Sequence, residues 1–318
     1  MCSWRRDNQR FGAVTRIMMI AFAIQMILAL APPIAPALHG QAGGEAIPLW
    51  EVSRDGHSIY LLGSVHSLRP GSYPLDEALY DAFDSATLVA FEIDPGLLEE
   101  AAPAMLAGGM YGPGESLRAA LPEDLYAQLA ERVDALGMPV QAFDPLKPWL
   151  VAITVSAIAT QGSGFDPRLG IDMHFHERAI AAGKEVVGLE TIDDQIGVFE
   201  GLGTQQQLAF LRSTLDEMDG ISSTMDEIAD VWASGDVERL GEMMNESLAG
   251  QPELADALLR GRNEKWVPGI EEIFDSGREA IVIVGLGHMT GEGSVTELLA
   301  ARGYRVERVV PAEAARDD

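Results

Sequence analysis

Two distant segments of the chain share one pattern, an apolar run that ends in the motif G-x-x-H. The first spans residues 59–66 (IYLLGSVH) and the second spans residues 280–288 (AIVIVGLGH). Aliphatic and β-branched runs of this length predict buried strands. Glycine permits a sharp turn after each strand, so His66 and His288 are presented at strand ends, where open α/β sheets bind their ligands.

Two further apolar runs end in a carboxylate: residues 88–92 (LVAFE) and 186–190 (VVGLE). A carboxylate at such a position must be solvated, paired or bound to a cation, because burying it bare is too costly. Glu92 and Glu190 therefore join the two histidines as candidates for metal binding or acid–base chemistry. Asp94 points to the same side as Glu92 if the strand continues, and is at best an outer partner of this site.

The order of the predicted elements indicates a mixed α/β (α+β) fold. Asp55-Gly56 is a strong hairpin signal between two strands, and residues 193–276 are helical in pattern throughout. Central sheet strands thus come from both ends of the chain, with a large helical middle, in a single compact domain. The apolar segment 149–160 is too short to cross a bilayer and predicts a buried helix.

The N-terminal 42 residues have the composition of a targeting segment. Four arginines precede an uncharged apolar stretch at 17–31, and small-x-small cleavage candidates follow. We interpret residues 1–42 as a signal peptide or an N-terminal anchor and residues 43–318 as the folded domain. The single cysteine, Cys2, lies in that segment. These features predict export to the periplasm or envelope of a bacterium, with no stable membrane span after cleavage.

Charge and missing motifs exclude several functions. The formal net charge of −27 repels nucleic acid and anionic membranes, so no nucleic-acid partner is expected. The sequence contains no H-E-x-x-H, no G-x-S-x-G, no phosphate-binding P-loop and no G-x-G-x-x-G after a strand. The expected partner is a peptide or small-molecule substrate.

Arg262, Asn263 and Trp266, which precede the second G-x-x-H segment in the chain, are further candidates. Arg262 could clamp a carboxylate, and Asn263 could donate a hydrogen bond to a developing oxyanion. Spacing alone instead favours a surface cation, a capping asparagine and a half-buried Trp266. His174 and His176 lie two apart on a predicted helix and face different ways, so we interpret them as surface or packing residues.

At this point the ordered motifs resemble those of the TraB/GumN family, which includes the Tiki proteases. The resemblance runs over about residues 47–310 and rests on segments 60–66 (YLLGSVH), 91–94 (FEID), 148–149 (PW), 170–172 (GID), 183–184 (GK), 188–191 (GLET) with Gln195, Trp232 with 235–236 (GD), 262–263 (RN) with Trp266, 284–291 (VGLGHMTG) and 303–304 (GY). It implies a fold shared with erythromycin-esterase-like and ChaN-like proteins. It also implies a site at the paired G-x-x-H motifs and metal-dependent proteolysis, with manganese or cobalt favoured.

Residues and resemblance together predict a metal-assisted hydrolase, and the family resemblance indicates a peptidase. His66 and His288 would bind a divalent ion (Mn, Co or Zn), and Glu92 or Glu190 would supply a third ligand. The other glutamate would act as general base, while Arg262 and Asn263 would stabilise charge or hold the substrate. Two alternatives stay open at this point: a metal-independent, esterase-like hydrolase, and a non-catalytic envelope protein that binds a peptide or signal.

Overall fold

Six strands form one mixed sheet in the computed structural model, which describes residues 47–248 and 252–310. The predicted targeting segment 1–42 and Cys2 lie outside the described residues. The sheet order is β4-β3-β5-β2-β1-β6, and β4, β3, β5 and β2 are parallel. The strands are β1 (Leu49–Arg54), β2 (His57–Ser64), β3 (Leu88–Phe91), β4 (Glu185–Gly188), β5 (Ala280–Gly285) and β6 (Arg305–Arg308).

Helices connect the parallel strands and make up most of the middle of the chain. They are α1 (Glu77–Ser85), α2 (Leu98–Gly109), α3 (Leu117–Ala120), α4 (Glu123–Ala135), α5 (Pro148–Gln161), α6 (Ile171–Ala182), α7 (Ile192–Glu200), α8 (Thr204–Glu217), α9 (Ile221–Ser234), α10 (Val237–Leu248), α11 (Pro252–Ala255), α12 (Gly261–Asp275) and α13 (Val295–Ala301). Shorter 3₁₀ turns occupy 95–97, 140–143, 167–169, 218–220 and 286–288, and a π-helical turn covers 256–260. The predicted fold class is confirmed.

The hairpin β1–β2 forms where the sequence predicts it. Asp55 and Gly56 both have positive φ (54° and 82°), and the pair Arg54–His57 closes the antiparallel register. These dihedrals give the turn the twist that matches its flanking strands. The hairpin therefore fixes the register of β2, and with it the position at which His66 leaves the sheet.

The apolar segment 149–160 is a buried helix, as predicted. Ten of the fourteen residues of α5 are buried, and Trp149 stacks on Phe199 with ring centroids 5.4 Å apart. In residues 47–248 and 252–310, no helix combines the length and the apolar run needed to cross a bilayer. The buried side chains of α5 belong to the same hydrophobic core as those of the sheet.

One predicted strand is placed differently from expectation. The run ending at Glu190 predicts a buried strand, but β4 lies at the edge of the sheet, and its valines are only half-buried. Among residues 47–248 and 252–310, β3 is the only strand that pairs with it, so no described strand lies on the other side of its backbone. An apolar run is needed wherever a strand pairs with a hydrophobic neighbour. An edge strand has such a neighbour on its inner side, so the apolar run does not distinguish an edge strand from a central one.

His174 packs within the fold rather than at a site. Its ring lies 4.7 Å from that of Tyr73 and 5.8 Å from that of Tyr80, between α6 and α1. Its Nε2 is buried without a hydrogen-bond partner. Burial, and secondarily the charge of Arg178, lowers the pKa of His174 to about 4. This histidine is therefore held neutral, in agreement with the packing interpretation.

We expect His174 to make the protein less stable as the pH falls from 6.5 towards 4. In that window the unfolded chain takes up a proton that the folded chain does not bind, so the free energy of unfolding decreases as pH falls. His174→Gln should flatten this dependence by roughly 1–2 kcal/mol, allowing for the partly exposed ring. Denaturant unfolding at a series of pH values measures the effect, and parallel curves for variant and parent would contradict it.

Candidate functional site

Four predicted site residues follow four adjacent parallel strands. Along one edge of the sheet the order is Glu190 after β4, Glu92 after β3, His288 after β5 and His66 after β2. The carboxyl ends of parallel strands meet at this edge, so residues far apart in sequence become neighbours. Glu92 lies within 4.0 Å of both His66 and His288. Arg262 connects Glu190 to this group.

Glu92 lies at the centre of this arrangement. Its Oε1 accepts a hydrogen bond from the backbone N–H of Gly285 (2.8 Å), and it lies 4.0 Å from Nε2 of His66 and 3.8 Å from Nε2 of His288. The Glu92 side chain is only 2% exposed, and both histidines are buried. One carboxylate oxygen thus faces two imidazole nitrogens in a water-poor environment.

Arg262 carries the positive charge that balances the glutamates. Its Nη2 donates to Oε2 of Glu92 (2.6 Å) and to Oε1 of Glu190 (2.5 Å), and its Nε donates to Oε2 of Glu190 (3.2 Å). Its Nη1 lies 3.2 Å from Nε2 of His288. The surface reading from spacing is wrong, because Arg262, Asn263 and Trp266 are all buried.

A neighbouring residue holds the remote nitrogen of each imidazole. Nδ1 of His66 lies 2.6 Å from Oδ2 of Asp172, whose Oδ1 accepts from Ser64 Oγ at 2.8 Å. Nδ1 of His288 lies 2.7 Å from Oδ1 of Asn263. Both Nε2 atoms are therefore turned towards Glu92. Ser64 was not singled out from the sequence, and Asp172 entered only as part of the 170–172 motif without a role.

The two histidines differ in their electrostatics. Burial opposes the charged form of His66, but the charge and hydrogen bond of Asp172 outweigh it and raise its pKa. Burial lowers the pKa of His288 to about 3, and Arg262 acts in the same direction. Burial opposes ionisation of Glu92, yet Arg262 and the two imidazoles lower its pKa to about 2. Glu92 is therefore an anion and His288 is neutral over the physiological range.

Local backbone features place the two loops that carry these histidines. A Cβ on Gly63 would lie 2.3 Å from Cδ1 of Leu286, so the two G-x-x-H turns pack against each other at a glycine. Trp232 Nε1 donates to the carbonyl of Gly63 at 2.9 Å.

The π-helical turn 256–260 directly precedes α12, and such turns change which residues of the following helix share a face.

One predicted candidate, Asp94, lies outside this cluster, whereas Asn263 and Glu190 belong to it. Asp94 accepts from the backbone N–H of Gly96 (2.8 Å) at the start of a 3₁₀ turn, and its Oδ1 lies 3.3 Å from Nε2 of His176. Asn263 uses both ends of its amide, since its Nδ2 donates to the carbonyl of Gly293 at 2.9 Å. Glu190 is occupied by Arg262 and by Nε1 of Trp266 (3.0 Å).

The donor atoms that converge here are of the types that bind a divalent cation: Nε2 of His66, Nε2 of His288 and Oε1 of Glu92. The other nitrogen of each imidazole contacts a neighbouring residue, as is usual for histidine ligands. The cluster contains three carboxylates, those of Asp172, Glu92 and Glu190, whereas the two glutamates share one guanidinium, that of Arg262. An additional positive charge would therefore suit the cluster. The spacing is wider than the roughly 3.4 Å between tetrahedral donors ~2.1 Å from one ion. Across residues 47–248 and 252–310, no group of three His, Cys, Asp or Glu side chains is already arranged as a metal centre.

We expect Gly170→Ala to destabilise the protein, because the new Cβ would lie 2.5 Å from the carbonyl oxygen of His66. Overpacking against backbone should lower the free energy of unfolding by about 1–3 kcal/mol. Gly197→Ala is the control, since nothing lies within 4 Å of its Cβ position on α7. That change should be neutral or stabilising by up to about 1 kcal/mol. Equal effects in the two variants would contradict the close approach of Gly170 to His66.

Comparison with known proteins gives a consistent family. A curated relative, Metalloprotease TIKI2 from Danio rerio, is 24% identical over 320 residues, which cover 83% of this chain and 61% of the relative. The chain thus spans about three fifths of the length of that relative. No solved structure shows a significant match. The sequence profile of the TraB/PrgY/gumN family matches residues 48–308, so this chain belongs to the TraB/PrgY/gumN family.

Proposed function

We propose that this protein is a hydrolase that cleaves peptide bonds with the help of a divalent metal ion. The observation that carries the proposal is the convergence of Nε2 of His66 and Nε2 of His288 on Oε1 of Glu92, at 4.0 Å and 3.8 Å. The name of the TIKI2 relative supports the peptidase class and the metal. The composition of residues 1–42 supports action in the periplasm or envelope of a bacterium.

His66, His288 and Glu92 would hold the ion. A divalent cation supplies a Lewis acid that polarises a carbonyl and lowers the pKa of water. Manganese, cobalt and zinc all accept a mixed imidazole and carboxylate set. Glu190 was an equal candidate for this role by sequence, but its contacts with Arg262 and Trp266 favour a supporting one.

The remaining residues would control charge and orientation. Glu190 holds the guanidinium of Arg262 in place, and Arg262 can then stabilise negative charge that develops on a substrate carbonyl oxygen next to Glu92. Asn263 keeps the ring of His288 oriented through Nδ1. In this version Glu92 would serve as a ligand of the ion rather than as the general base, the other role that the sequence offered for it.

A metal-independent hydrolase is the second candidate, and one contact favours it. Nη1 of Arg262 lies 3.2 Å from Nε2 of His288, so the guanidinium occupies the direction in which that nitrogen would bind an ion. In this version His66, paired with Asp172, activates water directly, and Arg262 supplies the positive charge. An ester would then be as suitable a substrate as a peptide.

The test combines metal analysis with peptide hydrolysis. Purified protein and the variants His66→Ala and His288→Ala are measured for bound Mn, Co and Zn and for cleavage of a mixed peptide library. We expect both variants to lose the bound ion and to lose activity by roughly 10²-fold or more, because each removes a ligand or a water-activating group. His176→Ala is the matched control, since His176 pairs with Asp94 outside the cluster and should keep both properties.

The outcomes separate the candidates. Activity that survives exhaustive chelation, together with loss of activity in both histidine variants, would replace the metal-dependent version with the metal-independent one. Unchanged metal content in both variants would contradict the ligand assignment. Retention of peptide without cleavage, insensitive to Glu92→Gln and Glu190→Gln, would support a binding protein instead of an enzyme.

A further inference from the structure

Asp172 belongs to a part of the chain that is remote in sequence from His66. It lies in the first turn of α6 and is only 3% exposed. The N-terminus of α6 is docked on the turn that carries His66, because the backbone N–H of Ile171 donates to the carbonyl of Val65 at 2.9 Å. This docking brings the carboxylate of Asp172 to the side of the imidazole away from Glu92.

Both oxygens of Asp172 are directed by partners on β2 and its turn. Oδ2 lies 2.6 Å from Nδ1 of His66, and Oδ1 accepts from the hydroxyl of Ser64 at 2.8 Å. An ionised carboxylate can only accept hydrogen bonds, so the proton between Asp172 and His66 belongs to Nδ1. The neutral imidazole then carries its lone pair on Nε2, the atom that faces Glu92.

His288 is oriented by a neutral side chain rather than by a carboxylate. Its Nδ1 meets the amide oxygen of Asn263, a neutral acceptor, and its Nε2 already has Arg262 within 3.2 Å. Nε2 of His66 instead faces a carboxylate, since it lies 4.0 Å from Oε1 of Glu92. The orientation of the His66 proton therefore depends on Asp172.

We propose that Asp172 is a positioning residue that fixes His66 in the tautomer protonated on Nδ1, with Ser64 holding the carboxylate in place. The other tautomer would direct an N–H at the site and remove the nitrogen lone pair needed to bind an ion or to accept a proton. The consequence for activity rests on the proposed function. The tautomer itself does not, because it follows from the contact between Asp172 and His66.

The first experiment uses the unmodified protein. Nitrogen-15 NMR of histidine-labelled protein, in alkaline buffer so that the imidazoles are neutral, distinguishes the two tautomers. The His66 signals are assigned by their absence from the spectrum of His66→Gln. We expect Nδ1–H for His66 in the parent protein. Nε2–H in the parent protein would overturn the proposal, and this measurement needs no variant of Asp172 to fold.

The second experiment removes the carboxylate. In Asp172→Ala we expect the His66 signal to shift towards the Nε2–H tautomer and the affinity for Mn²⁺ or Co²⁺ alone, measured by calorimetry, to fall about 10–100-fold. Asp94→Ala is the matched control, because Asp94 pairs with a histidine of the same helix outside the cluster. It should change neither measurement. An unshifted tautomer in a folded Asp172→Ala protein would overturn the proposal.

The two readouts separate this inference from the proposed function. If the parent protein binds no divalent ion, the metal-dependent function fails, yet the tautomer still decides the role of Asp172. If the parent binds the ion and Asp172→Ala keeps both the parent tautomer and the parent affinity, the positioning role fails while the metal-dependent function stands.

Discussion

The buried guanidinium of Arg262 is the interaction on which the arrangement of the site depends. It joins two glutamates that leave different strands, and it reaches a histidine from a third strand. Burying any of these charges alone would cost several kcal/mol, and breaking a buried pair by removing one partner typically costs about 3–5 kcal/mol. The guanidinium lies between the two carboxylates, and its charge is the strongest of those that lower the pKa of Glu92.

This constraint also explains why the two matched histidines differ. Arg262 and burial keep His288 neutral, whereas Asp172 favours the proton on His66. The two halves of the site share the same G-x-x-H turn but place it in opposite electrostatic surroundings. Environments that push the pKa values of paired groups apart are a recurrent means of assigning acid and base roles in one site.

Much of the fold could be predicted from the sequence. The hairpin at Asp55-Gly56, the buried helix at 149–160 and the strands before His66, Glu92 and His288 follow from turn chemistry and apolar periodicity, which are local properties. The burial of β4 was wrongly predicted, because position within a sheet depends on which strand pairs with which. His174 illustrates the same limit, since only tertiary packing shows that its ring lies against two tyrosines.

The site divides in the same way. By itself the sequence determined which residues could lie at strand ends, because a strand, a glycine and a polar residue in succession are a local pattern. Only the tertiary structure decided that Arg262 is buried between Glu92 and Glu190 and that Asp172 reaches His66. Those contacts join residues between 72 and 170 positions apart. They exist because parallel pairing brings distant strand ends to one edge, which no local pattern encodes.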